Sequence, residues 1–595
     1  MLLLQKKRIF YLLLSFSVIL GCFALRLAWI QMNSAFRAIT VGGKTINELA
    51  VRQREESVEL DSGRGHFLDR NGQALTGKIH WVPTLFPIYK LPEQHKLAEL
   101  ATALGASVAE LQLKWQTLER PYAWSVHKNG RDEPLRLNQE AALALPVMEG
   151  LEVLPYVSRY ETGQRGNQWL GYVGQRPDVI RQLREKQHRP DLSLSLQVGA
   201  AGLEKTFDRF LRGVGGVRAA YMVDGRREPL GGIDTRVNAA SSRYYPLQVR
   251  TTVDGNLQRE LEKLAADMNV REGAIVVLDA QSGDIISMVS LPYFTPYQIN
   301  LAQETWGNKA VKAVPPGSIF KTVIAAAALE EGISYPGEKF HCDGHYGKYG
   351  LSCWKKGGHG NLTLEQGFAQ SCNIVFATLG ERLSAEAIRR TADQLGLGRR
   401  IGWRVSHFLD GEQLVQLDQE EAGRVFNQAG KVDGGIRAQS AIGQRDVLVS
   451  PLQAANLVVT LLHGGQVTAP RLVSEIRYKD GSLMKELPIQ RVASTAGQIT
   501  PRTASHLLSW MRLVVTDGTG RSLQQAKWRL AGKSGTAEII KPDGHKLNHQ
   551  WFIGYGPVSQ PKYAVAVLVQ NRPRGSLHQA TELFRRAMDL MASRE

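Results

Sequence analysis

The stretch VPPGSIFKTVIAAAALEEG, residues 314–332, puts one serine and one lysine three residues apart at the start of a run otherwise suited to burial. Pro315 and Pro316 stop any preceding helix, and proline suits the first helical turn because its missing N–H would have no partner there. Ile319, Phe320, Val323, Ile324 and the alanines 325–328 continue the run, and Gly332 reads as its C-terminal stop. Residues i and i+3 share a helix face, so Lys321 is expected beside Ser318. A lysine among apolar neighbours loses hydration, which lowers its pKa and frees the neutral amine. Such an amine can take the proton of a nearby hydroxyl. The free N–H groups of a helix N-terminus would receive an oxyanion. The plainer alternative is an N-cap serine with a surface lysine beside it.

The pair alone decides little, because Ser125/Lys128 and Ser482/Lys485 repeat the spacing. Neither of those opens an apolar helix, and both read as solvated loop or hairpin residues. Two downstream elements change the balance. FAQSCNIVF carries Ser371-Cys372-Asn373, and LAGKSGTAEI carries Lys533-Ser534-Gly535-Thr536. No other S-x-N or K-[S/T]-G occurs in the chain. The order S-x-x-K, S-x-N, K-[S/T]-G, with a short first gap and a long second, resembles that of penicillin-recognising acyl-serine enzymes.

The resemblance reaches further. SGRGHFLDRNGQALT (62–76), NQWLGYVGQ (167–175), GAAGLEKTFDRFLRGVGG (199–216), VRTTVDGNLQRELE (249–262), GHGNLTLEQGFAQSCN and SAIGQRDVLVSPLQAANLVVTL are similar to landmarks of class B penicillin-binding proteins. It covers nearly everything after about residue 60. Two departures stand out: the third element is K-S-G rather than K-T-G, and His66 occupies a position where isoleucine or valine is usual.

The resemblance implies an α+β fold: an antiparallel sheet flanked by helices, with the active site between sheet edge and helical lobe. It implies Ser318 as nucleophile and Lys321 as its base, with Lys533 nearby discouraging protonation of Lys321. Ser371 would pass a proton to the leaving amine, and Asn373 would hold the substrate amide. Lys533, Ser534 and Thr536 would bind the terminal carboxylate, while Gly535 leaves room for a peptide to add along the strand. The backbone N–H groups of Ser318 and Thr536 would form the oxyanion hole. No metal or cofactor is required for this chemistry. The implied substrate is a peptidoglycan stem peptide ending in D-Ala-D-Ala, cross-linked through an acyl-serine intermediate, with β-lactams as donor mimics. The implied partner is a polytopic peptidoglycan glycosyltransferase of the shape–elongation–division–sporulation family. The alternatives are a D,D-carboxypeptidase or β-lactamase using water, or a non-catalytic β-lactam sensor. About eight residues before the anchor leave little for signalling, and a β-lactamase would not need so long a pedestal.

The first thirty residues bear on location. Lys6, Lys7 and Arg8 precede an apolar run from Ile9 to Leu25, which continues past Arg26 through Trp29 and Ile30. Its length fits a membrane span, with Arg26 snorkelling and Trp29 at the interface. The basic cluster argues for a cytoplasmic tail (1–8), an anchor (9–30) in the cell membrane and everything after it outside. A cleaved signal peptide lacks a convincing small-x-small site, and a lipoprotein-type site at Cys22 is followed by further apolar residues. The expected units are then a pedestal over 31–245, beginning with a partly helical stalk, and a transpeptidase domain over 246–595.

Composition is that of a globular protein, 43% hydrophobic and 22% charged over 595 residues. The net charge of +17 is spread along the chain, compatible with anionic lipid heads and wall polymers, and no nucleic-acid-binding signature accompanies it. Of four cysteines, Cys342 and Cys353 share the glycine-rich FHCDGHYGKYGLSCWKKGGHG. Outside the cytoplasm a disulfide there is one expectation. A zinc site with two of His341, His345 and His359 is another, although the spacing fits no usual template. Cys372 reads as a small buried apolar residue.

Overall fold

The computed structural model describes residues 2–36, 55–88, 90–128, 131–161, 165–186, 194, 196–213, 215–224, 235–239, 242–297, 299, 305–409, 411–427 and 432–595. Leu2–Phe36 is one helix. Its segment Gln5–Met32 is long and apolar enough to cross a membrane, and Phe10, Leu12, Phe16, Leu20 and Phe23 point outward. The expected anchor lies inside it. Most of the expected stalk (37–54) lies outside the described residues; its end, Glu55–Asp61, is a strand.

In the following unit, Glu55–Asp61 pairs antiparallel with Val217–Met222. Lys78–Leu85 lies between Tyr122–Ala123 and Leu151–Ser158. Two helices, Gln94–Leu104 and Val108–Gln116, bury Leu97, Leu100, Leu104, Leu111 and Trp115 around Leu85. This is the periodicity the sequence carried. Ser107 caps the second helix by accepting from the Glu110 N–H.

This unit is joined to the rest by a sheet, not by a bare linker. His66–Leu68 runs parallel to Gln248–Thr251, which pairs antiparallel with Val473–Arg477 and through it with Leu483–Glu486. Just before that strand, the buried Arg64 reaches Glu204 and Asp208, each at 2.8 Å, and Arg159 holds the second oxygen of Glu204 at 2.6 Å. The landmark segments 62–76 and 199–216 thus meet through one buried ion network. A carboxylate this deep is tolerated because both its oxygens are paired.

The C-terminal unit is built on a five-stranded antiparallel sheet in the order 285–291, 273–279, 563–573, 546–556, 531–540. The turn signal at 280–283 does join two strands, Gly273–Asp279 and Ile285–Leu291. Alternation along the first strand feeds two cores: Ala274, Val276 and Leu278 face one, Ile275 and Val277 the other. The second core is closed by Gly255–Asp267 and the amphipathic Gln579–Ala592. The first holds the helices Lys321–Glu330 and Pro451–Leu462, buried from Lys321 to Ala328 and from Pro451 to Leu461. Helices collect on the faces of an antiparallel sheet, as the α+β expectation had it. Strand Ala531–Ile540 is left as an edge.

Candidate active site

Ser318 and Lys321 sit on a turn tighter than expected. Gly317–Phe320 is a 3-10 turn, and the α-helix proper starts at Lys321. At three residues per turn, i and i+3 eclipse, so this geometry aligns Ser318 and Lys321 more closely than an α-helix would. The reason lies at Gly317. Its φ is +55°, and a Cβ there would stand 2.3 Å from the Thr536 carbonyl oxygen. Its N–H donates to Gly443 O at 2.9 Å, and Gly443 in turn has no room for a Cβ against Gly317. Only glycine tolerates this conformation and this closeness. The turn is thereby wedged between the edge strand and the segment around Gly443.

Lys321 and Lys533 are both fully buried. Lys321 Nζ donates to Ser371 O at 2.7 Å, to Asn373 Oδ1 at 2.8 Å and to Ser371 Oγ at 3.3 Å. Lys533 Nζ donates to Ser371 Oγ at 2.9 Å and to Ser534 O at 3.1 Å. Ser371 holds this position with φ +53°, a conformation rare outside glycine and associated with functional sites. Asn373 spends its amide N–H on Ser352 O at 3.0 Å. Ser318 is half-buried and forms no hydrogen bond with Lys321 in this conformation. Catalytic hydrogen bonds of unliganded sites often tighten only with substrate.

Burial lowers the Lys321 pKa to about 8, opposed by the sulfurs of Cys372 and Cys353. Lys533 is pushed well below the ordinary lysine value, by burial first and then by the charge of Lys321. Desolvation leads at both amines, and the like charge of the neighbouring lysine adds to it at Lys533.

The third motif lies along the free edge. Lys533 and Gly535 are buried, Ser534 is half-buried and Thr536 is exposed. A Cβ on Gly535 would stand 2.9 Å from Pro316 O and from Ile319. The glycine thus serves the packing of strand against turn, besides leaving space for a peptide. Three contacts here have little or no local signal in the sequence. Thr519 and Ser534 share a hydroxyl–hydroxyl bond at 2.7 Å; the glycine-punctuated D-G-T-G at 517–520 was its only signal. His578 Nε2 meets Gly535 O at 3.1 Å while its Nδ1 accepts from Thr581. Burial and the nearby Lys533 lower the His578 pKa, so the ring is neutral. Trp551 Nε1 donates to Pro315 O at 2.9 Å and braces the turn from the adjacent strand.

The cysteines correct one expectation and extend another, since Cys372 is buried as expected. All four are free, so Cys342 and Cys353 are not bridged. Cys372 is more than buried filler: its sulfur lies 4.0 Å from that of Cys353. His359 Nδ1 is 3.4 Å from Cys353 Sγ and 3.7 Å from Cys342 Sγ. These four donors form one group. His341 is instead bonded to Asn361. The hydrogen bond shared by the two sulfurs pulls the Cys353 thiol pKa down and pushes that of Cys372 up.

Residues 273–589 match the model of the penicillin binding protein transpeptidase domain, and residues 59–240 that of the penicillin-binding protein dimerisation domain. Stage V sporulation protein D of Bacillus subtilis is 26% identical over 96% of this chain and 82% of its own length. Peptidoglycan D,D-transpeptidase MrdA of Haemophilus influenzae is 24% identical over 90% of this chain and 85% of its own. Among solved structures, a chain of a peptidoglycan synthase complex aligns with a TM-score of 0.63, covering 98% of this chain and 97% of that one at 24% identity. Penicillin-binding protein PBP2 of Helicobacter pylori aligns at 0.61 over 91% of this chain and 99% of that one, at 21% identity. With a catalytic-domain model spanning more than half its length and a dimerisation domain before it, this chain belongs to the class B penicillin-binding proteins.

Proposed function

We propose that the chain is a penicillin-sensitive peptidoglycan D,D-transpeptidase acting through an acyl-serine. The observation that carries this is the convergence of Lys321 and Lys533 on Ser371 Oγ directly behind the Ser318 turn. Neutral Lys321 takes the Ser318 hydroxyl proton as Oγ attacks the penultimate D-Ala carbonyl. The oxyanion is held by the N–H groups of Ser318 and Thr536, a pairing supported by the contact of Gly317 with Thr536. On collapse, the C–N bond breaks and the departing amine takes a proton through Ser371, which the two lysines can resupply. Asn373 orients the substrate amide, and Ser534, Thr536 and the Lys533 charge meet the terminal carboxylate. The peptide adds along the free edge at 531–540. An amine from a second stem then displaces Ser318 and completes the cross-link. The Haemophilus influenzae relative is itself described as a peptidoglycan D,D-transpeptidase.

The same reading puts the N-terminus in the cytoplasm, a single span over about 9–30, a pedestal to about residue 245 and the catalytic domain outside. It assigns a polytopic glycosyltransferase as partner. Support comes from the synthase complex to which one structural neighbour belongs and from the complex of PBP2 with MreC in Helicobacter pylori. The test is labelling of full-length protein with a fluorescent penicillin. Ser318→Ala should abolish it, while Ser125→Ala and Ser482→Ala retain it. With lipid-linked precursor and a polymerase, wild type should form cross-linked muropeptides. Release of D-Ala without dimers would favour a carboxypeptidase.

A further inference from the structure

Beside the catalytic cluster lies a second group of chemically reactive side chains that the transpeptidase chemistry does not use. Cys342, Cys353, His359 and Cys372 present one donor atom each, all within 4.8 Å of one another. Zinc bonded to sulfur at ~2.3 Å and to imidazole nitrogen at ~2.0–2.1 Å in a tetrahedron needs S···S near 3.8 Å and S···N near 3.5 Å. The separations found are 4.0 Å for Cys353–Cys372, and 3.4 and 3.7 Å from His359 Nδ1 to Cys353 and Cys342. A disulfide would require about 2.05 Å between sulfurs. The arrangement is that of ligands around a small centre.

The chain builds this convergence locally. Lys339–Cys342 pairs antiparallel with Gly360–Thr363, which sets Cys342 opposite Gly360 and brings His359 to its side. Gly358, at φ +78°, makes this possible: a Cβ there would stand 2.0 Å from Cys342 O. Cys353 N–H donates to Gly344 O at 2.9 Å and folds the loop back on itself. The backbone N–H groups of Lys355 and Asn373 bear on the Cys353 sulfur, and that of Val375 on Cys372. Such N–H donors stabilise metal-bound thiolates. Trp354 covers the His359 ring edge-on at 5.3 Å.

We propose that Cys342, Cys353, Cys372 and His359 Nδ1 bind one structural Zn2+ that ties the 342–359 loop to the second catalytic motif. Binding forms three S–Zn bonds and one N–Zn bond and releases three thiol protons to water. The four protein donors close the coordination sphere, as in structural rather than catalytic zinc sites. Cys372 is the residue between Ser371 and Asn373, and Ser352, next to Cys353, accepts from the Asn373 amide. The metal thus acts as a positioning device for the groups that receive Lys321. The proposal stands apart from the functional assignment and can hold or fail without it.

The full-length protein, purified in detergent without chelators, should carry about one zinc per chain by elemental analysis. Its three clustered thiols should resist alkylation until a strong chelator is added. Co2+ exchanged into the site should give thiolate charge-transfer and tetrahedral ligand-field absorption. Cys342→Ser and His359→Ala should lower zinc affinity at least tenfold, lower the melting temperature and slow penicillin acylation, leaving Ser318 the labelled residue. Should those variants fail to fold, the wild-type metal content and thiol count decide. Freely alkylated thiols with less than a tenth of an equivalent of zinc, after zinc was supplied during purification, would overturn the proposal. So would a Cys353–Cys372 disulfide in peptides mapped without reduction.

Discussion

Lys321 and Lys533 approach a single hydroxyl, Ser371 Oγ, at 3.3 and 2.9 Å. Two buried amines cannot both stay protonated around one acceptor without cost, so each is held below its ordinary pKa. Removing that acceptor should tell more than removing either lysine. Ser371→Ala should slow penicillin acylation roughly 10²–10⁴-fold, the range of a lost proton-transfer group. Stopped-flow acylation rates would measure it, with circular dichroism confirming the fold.

Burial brings the Lys321 amine down to about 8 from an ordinary value of 10.5. The acylation rate should therefore rise with pH up to about 8 and level above it. Lys321→Arg should lose the rate at every pH, because the guanidinium stays charged. Stability follows the same sign. The unfolded chain binds the extra proton between about 8 and 10.5, so this group's penalty is full below 8 and vanishes above 10.5.

Glu262 gives the opposite slope. Burial raises its pKa to about 7 although Gln258 donates to it at 2.8 Å. The folded protein then holds a proton the unfolded chain releases, and stability falls as pH rises from about 4.5 to 7. Glu262→Gln should flatten that part of a melting temperature-versus-pH profile and raise the melting temperature at pH 7.5–8.

Gly317→Ala places a methyl group against the Thr536 carbonyl at a φ of +55°. Neither neighbour is a flexible side chain, so the turn or the edge strand has to move. A loss of about 2–3 kcal/mol in stability is expected. Acylation should suffer beyond what the loss of folded protein explains, since the same shift displaces Ser318.

Thr519→Val removes the partner of Ser534 while keeping the side-chain shape. A lost hydrogen bond of about 1.4 kcal/mol corresponds to about tenfold. The effect is expected mainly in KM for a D-Ala-D-Ala peptide, with kcat changed less, because Ser534 meets the carboxylate rather than the reacting carbonyl.

The three motifs were legible because their chemistry fixes residue types at short spacings: Ser318 to Lys321, Ser371 to Asn373, Lys533 to Thr536. The strands behind them were legible through alternation, as at Gly273–Asp279. What was not legible depends on approach between distant segments. The 3-10 turn at Ser318 is imposed by Gly443 and Thr536, more than a hundred and two hundred residues away, and no local propensity announces it. The pairing of Thr519 with Ser534 is set by the helix Pro501–Thr516 packing on the edge strand. The sulfur cluster drew only half a signal. Cys342 and Cys353 invited a bridge, whereas the third cysteine belonged to a motif read for its neighbours.

The strand His66–Leu68 is hydrogen-bonded into the same sheet as 248–251 and 473–477. Mechanically, the pedestal is therefore a lever and not a tether. A push or twist on the pedestal would travel along a hydrogen-bonded ribbon, clamped by Arg64, Glu204 and Asp208, into the body that carries Ser318. Cutting the chain at residue 246 would take the 66–68 partner away from strand 248–251. It would expose a raw sheet margin where the load had passed.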